Sequence, residues 1–256
     1  MLPKYFSPKS AAERYKKGRP FYHPISVKRF LEKIPYTVNT ALDLACGTGM
    51  STFALAEKVK KVIGIDAAKE MLALAPKKAN IDYKIGTAEA IDLANESLDL
   101  ITIASGLHWF KEADFFKEAK RLLPVGKYLI VYENYFQGKV DGPEKQFKDW
   151  TLNYYREHFP SPKRNRFDFK NHQKIADYGF EIEAFDRFEN QILWTKAQLI
   201  RYLITQSNVI SKVEMGQLNI EEVEQWLAQE LSPIFKDNSE YTFHFGNFIA
   251  YFKRKI

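Results

Sequence analysis

The sequence predicts an α/β fold built on a doubly wound parallel sheet, and three observations predict it. An apolar run, Thr40 to Ala45, ends in a turn with Gly47 and Gly49 one residue apart, and a helical pattern at Phe53, Leu55, Ala56 and Val59 follows. That order is the opening of a βαβ unit. Four further apolar runs alternate with helical segments, at the spacing of parallel strands joined by crossover helices. Gly47, Asp66, Thr87 and Ser105 stand at the ends of the first four runs, where open sheets of this kind bind their ligands.

The elements follow in order. Ser10 to Ile34 reads as two short helices around a Gly18-Arg19-Pro20 turn, the second running from His23 to Lys33. Lys61 to Ile65 is the second strand, ending at Asp66, and Ala68 to Ala75 is a helix stopped by Pro76. Ile81 to Ile85 is the third strand and Leu98 to Ala104 the fourth, with a turn through Asn95 between them. The helix Glu112 to Leu123, a Pro124-Val125-Gly126 turn and the fifth strand Lys127 to Tyr132 complete the alternation. Beyond Asn134 the pattern loosens. Glu144 to His158 is helical and aromatic until Phe159-Pro160-Ser161-Pro162 breaks it, and Phe169 to Tyr178 is a helix closed by Gly179. Phe180 to Trp194 alternates as a strand does, and Thr195 caps a helix running to Thr205. Ile220 to Leu231 is a helix with Glu221, Glu222 and Glu224 near its positive end. Tyr241 to Lys253 is the final strand, with a bulge expected at Gly246.

At 256 residues, with 45% hydrophobic and 27% charged residues, the chain is long enough for a substantial core. No apolar stretch reaches 18 residues, so no membrane partner is expected. Met1 to Phe6 lacks a signal-type apolar segment. Cys46 is the only cysteine, which excludes an intrachain disulfide and fits a reducing cytoplasm. The net charge of +6 comes in short clusters, Lys77-Lys78, Lys163 to Arg166 and Lys253 to Lys255. These suit a solvated surface better than a nucleic-acid interface. The five histidines are scattered, and no cluster has metal-ligand spacing.

Asp43-Leu44-Ala45-Cys46-Gly47-Thr48-Gly49, with Asp66 at the end of the next strand, resembles class I S-adenosylmethionine-dependent methyltransferases. Ala67 to Leu74, Gly86 to Glu89 and Leu98 to Phe110 extend the resemblance, which is strongest from Tyr15 to Tyr132. Tyr15 with Gly18 to Tyr22, and Trp194-Thr195 with Leu199 to Leu203 and Ser207, resemble the small-molecule subgroup that includes trans-aconitate methyltransferase. The resemblance implies a Rossmann-like seven-stranded sheet with the last strand antiparallel. It implies one domain over 1–256 with helical cap elements near 1–34, 141–172 and 196–235, and S-adenosylmethionine as cofactor, leaving S-adenosylhomocysteine.

Carried onto this sequence, Gly47 and Gly49 hold the backbone against the methionyl end of that cofactor, with Ala45 and Thr48 in the same turn. Asp66 accepts from both ribose hydroxyls, as a carboxylate can. Asp43 orients the loop or holds the ammonium group through water. Ala67 and Met71 flank the adenine, although Met71 also fits the core face of its helix. Thr87, Ala88 and Glu89 line the adenine edge. Many family members carry an acid where Thr87 stands, and a hydroxyl accepts more weakly. Arg19 pairs with the cofactor carboxylate, its fork matching that geometry, and Tyr15 closes over the same end. Ser105 and Gly106 sit under the transferred methyl.

Tyr22, His108, Trp109 and Arg201 are the candidate acceptor-binding residues, and Arg164 and Arg166 could also reach a small acidic acceptor. His108 is the candidate general base, while His108-Trp109-Phe110 equally reads as a packed turn. A carboxylate acceptor needs no base, because it is already ionised at neutral pH. The cap aromatics point to a largely apolar pocket or simply to core. A monomer or weak homodimer is expected.

Three other functions are weighed. A nicotinamide dehydrogenase would want a small third residue where Thr52 stands. Methyltransferases of exocyclic base amines carry an Asn/Asp-Pro-Pro-Tyr stretch where this chain has Ser105-Gly106-Leu107-His108. The third is a cofactor-binding protein without catalysis, acting as sensor or partner, which the lack of an obvious base leaves open.

Overall fold

The runs of the first half form the parallel strands β1 (Thr40–Leu44), β2 (Lys61–Asp66), β3 (Ile81–Ile85) and β4 (Leu100–Ala104); β1, β2 and β4 are largely buried, as strands covered on both faces are, while β3 is partly exposed. In a computed structural model, which describes Phe6 and residues 8–255, these join β5 (Tyr128–Val140), β6 (Phe180–Thr195) and β7 (Glu240–Arg254). Among the described residues the seven strands make one sheet, in the order β3-β2-β1-β4-β5-β7-β6. β7 runs antiparallel to both its neighbours, as the resemblance implied. Met1–Tyr5, Ser7 and Ile256 lie outside the described residues, and with them most of the segment read for a leader and the outer part of the first cap element.

One face of the sheet packs on α2 (His23–Lys33) and α3 (Met50–Ala56) through Val27, Phe30 and Leu55. The other packs on α5 (Glu112–Leu122) and α8 (His172–Asp177) through Phe115, Phe116 and Ile175. α1 (Lys9–Gly18) precedes them, and α4 (Lys69–Leu72) is shorter than the expected Ala68–Ala75. Its continuation tightens into three-residue hydrogen bonds, Leu74 N to Met71 O and Ala75 N to Leu72 O, before Pro76.

The second half differs more. β5 does not stop at Tyr132 but runs to Val140, so β5, β6 and β7 have 13, 16 and 15 residues against five or six in β1–β4. The surplus rises beyond the carboxyl ends of the short strands as an antiparallel wall. Asn134 Nδ2 donates to Asn190 Oδ1 (2.7 Å) and Asn247 Oδ1 (2.8 Å), stapling the three strands where the wall begins. α6 (Glu144–Trp150), a π-helical turn (Thr151–Tyr155), α9 (Lys196–Leu203), α10 (Ser207–Glu214) and α11 (Ile220–Leu231) share one core with this wall, and α7 (Arg156–His158) continues the π-helical turn, with His158 stacked on Trp226 of α11. Thr195 caps α9, its side chain accepting from Gln198 N.

Phe147, Trp150, Phe159, Phe235, Phe243 and Phe245 form the shared core of cap and wall. The register shifts lie in β5 between Phe136 and Lys139 and in β6 between Ile182 and Ala184, not at the expected Gly246. Gly246 pairs regularly, and what it accommodates is the Tyr135 ring lying across it.

Candidate active site

The turn after β1 is held from beneath. The buried Asp43 carboxylate accepts from Ser51 Oγ (2.6 Å), Thr52 Oγ1 (2.7 Å) and Thr102 Oγ1 (2.8 Å). Burial raises its pKa and the three hydroxyls pull it back. Asp43 therefore ties β1, α3 and β4 together, and it lines none of the cavities described below. Above it the backbone coils through left-handed conformations at Ala45 (φ 52°), Gly47 (55°) and Gly49 (74°). Gly47 faces the cleft. Gly49 faces away, against Tyr83 and Ala75, so it shapes the turn without lining the cavity.

A cleft of about 420 Å³ opens over the ends of β1, β2 and β4. Asp66 lies in its floor. Gly47 N donates to its Oδ2 and Ala68 N to its Oδ1, each at 2.8 Å. Each oxygen keeps acceptor capacity for one more donor. Ala67, Met71, Thr87, Ala88 and Glu89 line one end, and Ala45, Ser105 and Gly106 the other. Met71 is both buried and in the lining, so its two expected roles coexist. Glu89 Oε1 also accepts from Lys111 N (2.9 Å), which fixes it to the start of α5. Ser105, like Ala45, is left-handed (φ 54°) without being glycine. Such a residue costs about 1–2 kcal/mol, and strain of this kind collects where a site needs it.

A smaller space of about 60 Å³ adjoins the glycine turn, lined by Thr48, Tyr15, Arg19 and Tyr22 among others. The Arg19 guanidinium lies over the Tyr15 ring (4.7 Å) and the Tyr202 ring (5.4 Å) and donates through Nη2 to Thr205 O (2.7 Å). Its Nε is buried with no partner among the described residues. Tyr22, expected at the acceptor, belongs to this space instead, because the start of α2 carries it over the β1 turn.

A third cavity, about 430 Å³, lies between the wall and the cap, and Tyr15 and Ser105 line it as well as the other two. Most of its lining side chains are polar, including His108, Glu133, Asn134, Arg156, Arg164 and Asn208. Of the two readings of the cap aromatics, core is the one that holds for Phe147, Trp150 and Phe159, which are spent on the cap core. Trp109 lines both this chamber and the cleft. Arg164 reaches the chamber and hydrogen-bonds Ser207 Oγ, whereas Arg166 does not line it. Arg201 is exposed and lines none of the cavities; α9 turns it outward while burying Leu199, Tyr202 and Leu203.

His108 lines the chamber. Burial, with Arg164 nearby, pushes its pKa down to about 4, so it is neutral at pH 7. Sequence reasoning missed Glu133, whose one signal is its place directly after the fifth apolar run.

A family model described as a methyltransferase domain matches residues 41–126. A Dictyostelium discoideum protein named as a methyltransferase is 36% identical over 123 residues, covering 48% of this chain and 47% of its own. The chain spans about half the length of the curated relatives it matches. A solved structure described as a type II methyltransferase from Anaeromyxobacter dehalogenans is similar in fold, with a TM-score of 0.73 at 20% identity over 92% of this chain and 97% of that one. Geranyl diphosphate C-methyltransferase from Streptomyces coelicolor, solved with Mg2+, geranyl diphosphate and S-adenosyl-L-homocysteine, gives a TM-score of 0.51 at 11% identity over 90% of this chain and 78% of that one. The methyltransferase resemblance read from the glycine turn thus holds in sequence over 41–126 and in fold over most of the chain.

Proposed function

We propose that this protein is an S-adenosylmethionine-dependent methyltransferase acting on a small-molecule acceptor. One observation carries the reading: the cleft over Gly47 and Asp66 meets a separate polar chamber at Tyr15 and Ser105. A nucleoside–amino-acid molecule in the cleft and an acceptor in the chamber come together at that junction.

The residues present suit the cofactor. Asp66 has acceptor capacity left for ribose hydroxyls. The unpartnered Arg19 Nε suits a carboxylate at the far end, beside Thr48 and Tyr15. Ala67, Met71, Thr87, Ala88 and Glu89 provide the adenine walls, with Thr87 the weaker acceptor for the amino group. Bound there, the cofactor supplies an electrophilic methyl group on a sulfonium. The chain's own part is alignment and exclusion of water, by Tyr15, Trp109 and Phe110 around the junction.

Arg19, Arg156 and Arg164 all line the chamber, which supports an acceptor carrying an anionic group. Carboxylate O-methylation, the activity suggested by the trans-aconitate subgroup resemblance, fits these cations and needs no base. Methylation of an amine or hydroxyl is the second reading, favoured by the Glu133 carboxyl in the same chamber. A monomer or weak homodimer in a reducing cytoplasm, without nucleic-acid partners, belongs to the same proposal.

Titration calorimetry with S-adenosylhomocysteine tests the cofactor half, and transfer of labelled methyl to a mixture of small acids tests the rest. Uptake without transfer would mark a binding protein. No uptake removes the reading altogether.

A further inference from the structure

We propose that Glu133 is the proton acceptor of the methyl-transfer site, so that the methylated atom is an amine or hydroxyl of an acceptor whose anionic group lies against Arg156 and Arg164. The proposal rests on the methyltransferase reading above. Among the described residues Glu133 is the one carboxyl lining the chamber. Asp43, Asp66 and Glu89 are each committed to protein donors, but the Glu133 carboxyl accepts no hydrogen bond from the described residues.

Its position is fixed by backbone. Ser105 N donates to Tyr132 O (2.9 Å), and Ser105 lines both compartments, so Glu133 begins one peptide beyond the point where they meet. The charged and titratable groups that line the chamber with it are Tyr15 and Arg19 from α1 and the turn after it, His108 from the turn after β4, Tyr135 from β5, Tyr155 and Arg156 from the π-helical turn and α7, Arg164 from the loop after α7 and Tyr202 from α9, and Tyr22 at the start of α2 lies close enough to interact with it electrostatically. Burial raises the Glu133 carboxyl above the usual range and Arg164 moderates the rise. A carboxylate so placed takes up a proton more readily than an exposed one, while His108 does so less readily than an ordinary histidine.

The step balances. The acceptor nitrogen or oxygen forms a bond to the methyl carbon. The carbon–sulfur bond breaks and leaves its electron pair on sulfur. The proton of the acceptor group passes to Glu133. An ionised acceptor carboxylate has no proton to give and would be repelled by ionised Glu133.

The test offers wild type, Glu133→Gln and Glu133→Asp labelled S-adenosylmethionine with an equimolar mixture of amino acids, hydroxy acids, phosphorylated amino alcohols and plain di- and tricarboxylates. Methyl esters release labelled methanol in mild alkali, whereas N-methyl and ether products do not. The expected product is alkali-stable. Wild-type rate should rise with pH as Glu133 ionises, and Glu133→Gln should lower kcat by about 10²-fold or more, leave the S-adenosylhomocysteine Kd within twofold, and remove that rise. Glu133→Asp should recover part of the rate and the pH dependence; if Glu133→Gln fails to fold, this variant decides. An alkali-labile product, or a wild-type kcat in Glu133→Gln, overturns the assignment. Failure of wild type to transfer label at all overturns the underlying methyltransferase reading instead.

Discussion

Gly106→Ala is the substitution whose cost can be worked most directly from the site. Gly106 has φ −114° and ψ −19°, a conformation open to alanine, so any penalty is steric. A methyl group there would lie 2.7 Å from Ala45 Cβ and 3.3 Å from Ile103 Cγ2. Relaxed carbon–carbon contacts lie near 3.5–4.0 Å, so the turns after β1 and β4 would have to part by about 1 Å. Overpacking of this kind costs about 1–3 kcal/mol, reduced by about 0.4–1 kcal/mol because alanine stiffens the unfolded chain.

Ala45→Gly removes the obstructing methyl and relieves a left-handed alanine worth about 1–2 kcal/mol. It loses about 0.5–1 kcal/mol to the greater freedom of the unfolded chain. Alone it should be near neutral. Combined, the two substitutions should recover most of the loss, with a coupling of about 1–2 kcal/mol. Urea denaturation of all four proteins measures the cycle, and calorimetry with S-adenosylhomocysteine shows whether the cleft opens with it. Gly106→Ala as stable as wild type, or additive effects in the double variant, would refute the claim that the two turns are in steric contact.

Asp66→Ala should weaken S-adenosylhomocysteine binding by about tenfold or more, since it removes both ribose acceptors and the clamp on Gly47 N; calorimetry with an unchanged Kd would contradict this. Arg19→Ala should weaken S-adenosylhomocysteine but not adenosine, because only the former carries the carboxylate; equal losses would place Arg19 outside that contact. His244 is buried between Asp141 (2.8 Å) and Glu189 (2.7 Å), and these partners raise its pKa. The stabilisation is then complete below the ordinary histidine value and lost as pH rises through the raised one. Tm should fall as pH rises from the ordinary histidine value through the raised one, and His244→Gln should flatten that fall. Salt should shrink the effect, since Glu189 and Asp141 are exposed at their outer edges.

The parallel half of the sheet was readable because β1, β2, β4 and the start of β5 are largely apolar runs bounded by turns, as burial on both faces demands, while β3, at the sheet edge, alternates apolar and polar residues. The extension of β5 was not. Tyr135-Phe136-Gln137-Gly138-Lys139-Val140 mixes glycine and polar residues because one face meets the cap while the other is exposed, and a bulge breaks the register. α10 was missed because Ser207 and Asn208, its first residues, read as loop although both are buried. The cleft side of the candidate site lies mostly in short strand-end segments, so local motif and spacing reached Asp66, Thr87 and Ser105. The chamber gathers Glu133, Arg156, Arg164 and Asn208 from β5, α7, a loop and α10. No local pattern links those positions, and Arg201 was misplaced for the same reason.

The unbroken passage of β5 from floor to wall has a mechanical consequence. Tyr132 pairs with Ala104 in the sheet beneath the cleft, and Glu133 lines the chamber. Their separation is one peptide unit, about 3.8 Å between Cα atoms. The spacing between the sheet beneath the cleft and the chamber is therefore set at this point by covalent bonds. Side chains hung from the cap can be exchanged without altering it. A one-residue insertion in β5 ahead of Glu133 would instead turn both Glu133 and Asn134 to the opposite face of the strand and break the Asn134 staple to Asn190 and Asn247.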